Sequence, residues 1–257
     1  MKVLHVYSMA GVAEMLCTDE SIVMQLKGLD PFGFSEYYNK TFIFDDTAKL
    51  LQAAHNSSYN ADYVILHDFV EFYSEFPQEN LVLFFHGTKL RDVLKNDPMF
   101  NSIKDKLRII VSTPDLLSIV PNAFYLPVPI DDSLFTPNLS LRERNYLAIN
   151  RDYQIDTIKP TILGKYPEVE YINRQKEIIP YRDMPNLLNK YYNYVDWKFD
   201  YNKPIPQTIN ATSCTGLQAL SCGLNVWTSE GVKLSPDILL EHKIDTVREK
   251  FLRYLNV

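Results

Sequence analysis

The densest chemistry in the sequence lies at Cys214-Thr215-Gly216-Leu217-Gln218-Ala219-Leu220-Ser221-Cys222-Gly223, followed by Leu224-Asn225-Val226-Trp227. Thr215 is of a helix-capping type, and Gly216 admits close approach of a ligand to the backbone. Leu217, Ala219 and Leu220 favour a helix with an apolar side, and Gly223 stops it. Asn225-Val226-Trp227 then opens a strand. A short helix set up this way presents unpaired N–H groups and a partial positive charge, which suits phosphate. Thr215-x-x-Gln218 also reads as a capping box, with Gln218 returning to the Thr215 N–H.

Two apolar runs end on histidine: residues 61–66 lead to His67-Asp68, and residues 81–85 lead to His86-Gly87-Thr88. Ligands gather at the carboxyl ends of parallel strands, so both histidines are expected to point at one cleft, His86 more directly. Neighbours on a strand face opposite ways, so His67 and Asp68 are not expected to pair. Arg151 follows the apolar run 145–150, and Lys159 lies further on. Glu14 and Asp19 read as solvated helix residues. Asp45-Asp46 and Asp131-Asp132 lack the flanking partners of a metal site. Neither Gly-x-Ser-x-Gly nor a phosphate-binding P-loop occurs, which removes the common hydrolase and NTPase readings.

Positioning these groups requires alternating strands and helices. Residues 2–8 suit a strand buried on both faces, and Met9-Ala10-Gly11 turns the chain. Val12, Met15, Leu16, Ile22, Val23 and Leu26 form a helical stripe, which predicts a helix over 12–27 stopped by Gly28. One glycine in that first turn, rather than three, excludes a dinucleotide fingerprint. Further strands are expected at 41–44, 61–68, 81–88, 107–112 and 122–125, with helices at 45–55 and 89–96. Pro127, Pro129 and Pro137 mark a stiff linker. The alternation restarts with strands at 145–150 and 192–197 and a helix at 184–190, with the segment 166–172 between them. Ser235-Pro236-Asp237 starts another helix, and Ile244, Val247, Phe251 and Leu255 give the tail one apolar face.

A chain of 257 residues with a net charge of −6 can bury one large core or two small ones and is not a general nucleic-acid binder. No apolar run reaches the roughly 18 to 20 residues that span a membrane, and residues 1–7 read as a strand rather than a signal peptide. Cys17, Cys214 and Cys222 have no metal-ligand spacing and leave one unpaired, as expected of reduced thiols in a cytoplasmic protein.

The 214–227 segment resembles the donor-site helix of retaining glycosyltransferases with the GT-B fold, of the group 1, family 4-like kind. Phe85-His86-Gly87-Thr88-Lys89-Leu90-Arg91 and Pro127-Val128-Pro129-Ile130-Asp131 resemble landmarks of that family's N-terminal domain. The resemblance implies an α/β fold of two Rossmann-like domains with parallel sheets and an interdomain cleft. It places an acceptor-side domain at 1–132, a nucleotide-sugar domain at 133–235, and a last helix at 236–257 crossing back. It implies that Gly11 lies near the donor phosphates, and that His86 is the catalytic-site residue meeting the transferred sugar or the acceptor. Arg151, Lys159, Thr215 and Gly216 would hold the diphosphate, and Gln218 the ribose. No metal or cofactor would be needed beyond a UDP- or GDP-sugar as substrate. The acceptor is a glycan, a lipid or a protein, with peripheral membrane contact left open and nucleic acid not expected. The chain departs from the family at two carboxylates: its second Glu falls on Gln218, and its first on Asn210. A non-catalytic glycan- or nucleotide-binding protein of the same fold is the alternative.

Overall fold

The computed structural model describes the chain apart from Thr88, residues 151–163, Gln175, 197–198, 201–202, 205–211, 229–230 and Val257. It divides into two compact units, Met1–Pro129 with Ile244–Val257, and Ile130–Lys243.

The first unit is built on seven strands: Val3–Val6 (β1), Ile22–Leu26 (β2), Thr41–Phe44 (β3), Tyr63–His67 (β4), Leu81–Phe85 (β5), Arg108–Val111 (β6) and Phe124–Tyr125 (β7). They run parallel in the order β3-β2-β1-β4-β5-β6-β7. The central strands are largely apolar because both faces are covered, with His5 in β1 and His67 at the end of β4 as the buried polar exceptions. Leu4, Val6, Val64, Leu66, Leu83 and Phe85 share one core with Leu50 and Ala54 of the helix Thr47–Ser58. Val3, Ile65, Val82 and Phe84 face the other way, toward Val12 and Leu16 of the short helix Val12–Leu16 (α1) and toward the C-terminal helix Ile244–Leu255. Val247, Phe251 and Leu255 of that last helix are buried, and Ile244 is half-buried.

The expected helix over 12–27 is wrong in its second half. α1 ends at Leu16, and Ile22–Leu26 is β2. Ile22, Val23 and Leu26 fit a helical stripe, but Val23 and Met24 are buried between neighbouring strands, and pairing with β1 and β3 decides the outcome. Residues 89–96 form a π turn and a 3₁₀ turn instead of an α-helix.

The second unit holds a four-stranded sheet of Arg144–Asn150 (β8), Val169–Asn173 (β9), Tyr191–Asp196 (β10) and Asn225–Thr228, in the order Asn225–Thr228, β10, β8, β9, all parallel. Ala148, Val169, Val195 and Tyr166 form a core on one face. The helix Cys214–Ser221, here called the pre-strand helix, leads into Asn225–Thr228 and buries Leu217, Ala219 and Leu220. No helix among the described residues is long and apolar enough to cross a membrane.

Candidate functional site

In the first unit three adjacent strands break at their carboxyl ends in unusual backbone. Tyr7 follows β1 with φ 65°, Asp68 follows β4 with φ 57°, and Gly87 stands two residues past β5 with φ 131°. Left-handed backbone at non-glycine residues is costly and concentrates at functional edges. Tyr7 stacks on Phe69 with ring centroids 3.7 Å apart. Burial, with the Glu71 charge, pushes the Tyr7 hydroxyl up to about 12.

His86 stands at this edge, half-buried. Its backbone N–H donates to Asp68 Oδ1 at 3.1 Å, and its ring Nε2 lies 2.8 Å from His67 Nδ1. His67 Nε2 lies 3.0 Å from Nδ1 of His5, a residue not picked out from the sequence. Register explains the line. His5 is paired with Ile65, and His67 with Phe84. Each step across the sheet therefore advances two residues, and a step of two keeps the side chain on the same face. His5 and His67 are fully buried. Burial holds His5 and His86 down to about 3 and His67 well below the usual range, so all three rings are neutral at pH 7. Asp68 moves the other way, up to about 6, because burial opposes its charge. His67 and Asp68 make no hydrogen bond to each other, yet each reaches His86, one through the ring and one through the backbone. The rings form a line instead of converging on a point. Among the described residues no group of three or more His, Cys, Asp or Glu could hold a metal ion.

The β1–α1 turn corrects one expectation. Glu14 is buried, not solvated. It accepts hydrogen bonds from Ser8 Oγ and, at 3.0 Å, from Thr41 Oγ1, and burial raises its carboxyl. Gln25 Nε2 donates to Ser8 O at 2.9 Å, closing the turn from β2. Gly11, at φ 75°, has a structural reason of its own: a Cβ there would lie 2.2 Å from the Phe34 ring.

In the second unit the cap of the pre-strand helix is Ser213, not Thr215. Ser213 Oγ accepts from Gly216 N at 2.9 Å and donates to Asp196 Oδ1 at 2.6 Å, and Ser213 N donates to Asp196 Oδ2 at 2.9 Å. A buried carboxylate at the end of β10 therefore meets the positive end of the helix. Gly216 is required by this contact, since a Cβ would lie 2.9 Å from Asp196 Oδ2. Thr215 and Gln218 are buried within the helix. Arg151, Lys159 and Asn210 lie outside the described residues. Ser213 carries a capping signal of its own in the sequence; Asp196, at the end of an apolar strand, could be matched to it only through the fold.

No protein-family model matches the sequence, and no curated protein does. Solved structures do. AviGT4, a glycosyltransferase involved in avilamycin A biosynthesis, is similar over 99% of this chain and 97% of its own, with TM-score 0.61 and 11% identity. An alpha-glucosyltransferase in complex with UDP and a mismatched 13-mer DNA is similar over 88% of this chain and 78% of its own, with TM-score 0.56 and 9% identity. At these identities the likeness is one of fold: the chain is a divergent form of the GT-B glycosyltransferase fold, α/β with two parallel sheets.

Proposed function

We propose that the protein is a glycosyltransferase-like enzyme that moves a sugar from a nucleotide-sugar, a UDP- or GDP-sugar, to a glycan, lipid or protein acceptor without a metal ion. The observation that carries this reading is His86, a neutral imidazole fixed by His67 and Asp68 at the carboxyl edge of a parallel sheet. It stands in a fold whose solved neighbours are glycosyltransferases, one of them with UDP bound. His86 serves the sugar or the acceptor, and Gly11 keeps the first turn tight beside the donor. Arg151, through two parallel N–H bonds, and Lys159, as a point charge, balance the leaving diphosphate. The start of the pre-strand helix at Thr215 and Gly216 adds its partial charge, although Asp196 already shares that end. Gln218 reaches the ribose as a neutral donor and acceptor.

Titration calorimetry against UDP, GDP and inorganic pyrophosphate, paired with an assay for diphosphate released from UDP- and GDP-sugars, tests the proposal. Saturable binding of one nucleoside diphosphate and turnover of its sugar are expected. No binding at millimolar concentration refutes it. Binding without turnover supports the second reading, a non-catalytic nucleotide- or glycan-binding protein, which Asn210, Gln218 and the placement of Asp196 favour.

A further inference from the structure

The His5, His67 and His86 rings form one hydrogen-bonded line with two different ends. The inner end is His5 Nε2, which is buried and has no hydrogen-bond partner; the Phe251 ring lies beside it, centroids 5.8 Å apart. The outer end is His86 Nδ1, on a half-buried residue, bonded to nothing among the described residues. A neutral imidazole carries one N–H and one bare nitrogen. In a line of three such rings every link must point the same way, because each contact needs one donor and one acceptor. Only two arrangements satisfy both contacts. In one, all three rings are Nδ1–H: His5 donates to His67, His67 donates to His86, and His86 turns an N–H outward. In the other, all three are Nε2–H, and His5 buries an N–H with no acceptor. Orphaned buried N–H groups are rarer than under-used acceptors, so the core end selects the first.

We propose that His5 and His67 are positioning residues that act through His86, locking it as the Nδ1–H tautomer so that it meets its ligand as a neutral hydrogen-bond donor and not as a base. The lock is set at the inner end. Reversing the line by proton hops would require a proton to arrive at His5 Nε2, and the apolar core supplies none. Asp68, the ionisable group bonded to His86, binds its backbone N–H and leaves the ring's polarity to the histidines. The ligand atom implied is an acceptor, a sugar hydroxyl oxygen or a phosphate oxygen. That identity rests on the function proposed above; the tautomer does not.

The test is long-range ¹H–¹⁵N correlation on the full chain labelled with ¹⁵N-histidine, without ligand, between pH 8 and pH 5, assigned with single-histidine variants. The expected spectrum has His5, His67 and His86 in the Nδ1–H pattern, none of them titrating. His67→Asn places an amide nitrogen where Nδ1 stood and should preserve the His86 pattern. His67→Leu removes the donor and should convert His86 to a mixture of tautomers. A wild-type spectrum with His86 in the Nε2–H form, or a His86 pattern unchanged in His67→Leu, overturns the proposal. If His67→Leu does not fold, the wild-type and His67→Asn spectra decide it. These spectra need no nucleotide, so failure of the glycosyltransferase reading would show separately, as absent UDP or GDP binding with the tautomer pattern intact.

Discussion

Acid should destabilise the first unit through His5, and His5→Phe should remove that part of the effect. His5 is fully buried, and desolvation lowers its pKa from 6.5 to about 3. A depressed histidine pKa means that the unfolded chain takes up a proton the native state refuses. The stability contributed by neutral His5 is therefore complete above the unfolded value and is lost as pH falls from about 6.5 toward 3. Between pH 7 and pH 5 the loss from this one residue is ~2 kcal/mol, and each further unit down to the native pKa adds ~1.4 kcal/mol. Asp68 works in the opposite sense. Its pKa is raised from 3.8 to about 6, so acid relieves the cost of its buried charge, by ~1.3 kcal/mol over the same interval. His67 and His86, also held below the usual histidine range, add to the acid loss, so the wild-type curve mixes all four groups, and the difference between wild type and variant extracts the His5 part.

The phenyl ring of His5→Phe fits the same space beside Phe251 but leaves His67 Nε2 without its partner, a loss of about 1–3 kcal/mol at pH 7. That gap should then close by ~2 kcal/mol at pH 5, because the variant has no proton to gain at this position. Amide hydrogen exchange of peptides covering β4 and β5, corrected for intrinsic rates, reads the opening free energy of this unit separately from the other. Parallel pH dependence in wild type and variant would refute the reasoning: the burial of His5 would then carry no linkage to folding.

His86→Ala should lower donor turnover by about 10- to 100-fold, the value of one hydrogen bond to a charged or developing-charge oxygen, and should also cost about 1–3 kcal/mol of stability by leaving buried His67 Nδ1 without its partner; unchanged turnover would remove His86 from the site. Gly216→Ala drives a Cβ to 2.9 Å from Asp196 Oδ2 and should cost about 1–3 kcal/mol in thermal unfolding, whereas a neutral result would mean that the Asp196–Ser213 contact is slack. Arg151→Ala should weaken UDP or GDP binding by about 1.5–3 kcal/mol in calorimetry while leaving the melting temperature in place; equal affinity would take the diphosphate away from Arg151.

Much of the first sheet is legible because a strand covered on both faces can hardly be built from anything but continuous apolar runs, as in 63–67 and 81–85. Residues 22–26 were not legible. Ile22, Val23 and Leu26 satisfy both a helical stripe and a buried strand, and only the neighbours β1 and β3 distinguish them. His86 is legible because it ends an apolar run. His5 is not, because its run continues to Val6, and a histidine inside a strand shows nothing until register sets it two residues behind His67. Glu14 has the look of a surface helix residue, and the donors that bury it, Ser8 and Thr41, come from 6 residues before it and 27 after. The cap moved from Thr215 to Ser213 because Asp196, distant in sequence, bonds both the backbone N–H and the hydroxyl of Ser213.

Asp196 changes what the two amides mean. A helix N-terminus attracts one anion by its dipole, with roughly half a charge to offer. Here the protein's own carboxylate, itself buried, already draws on that charge, and two part-buried hydrogen bonds from Ser213 hold it in place. A diphosphate arriving at the same end gains less from the helix than an empty N-terminus would give and feels the carboxylate as a like charge. A carboxylate in place of Gln218, within this same helix, would add another like charge. Asn210 and Gln218 keep hydrogen-bonding capacity without adding negative charge. Under the function proposed above, the positive charge for a diphosphate then comes from the side chains of Arg151 and Lys159 rather than from the helix.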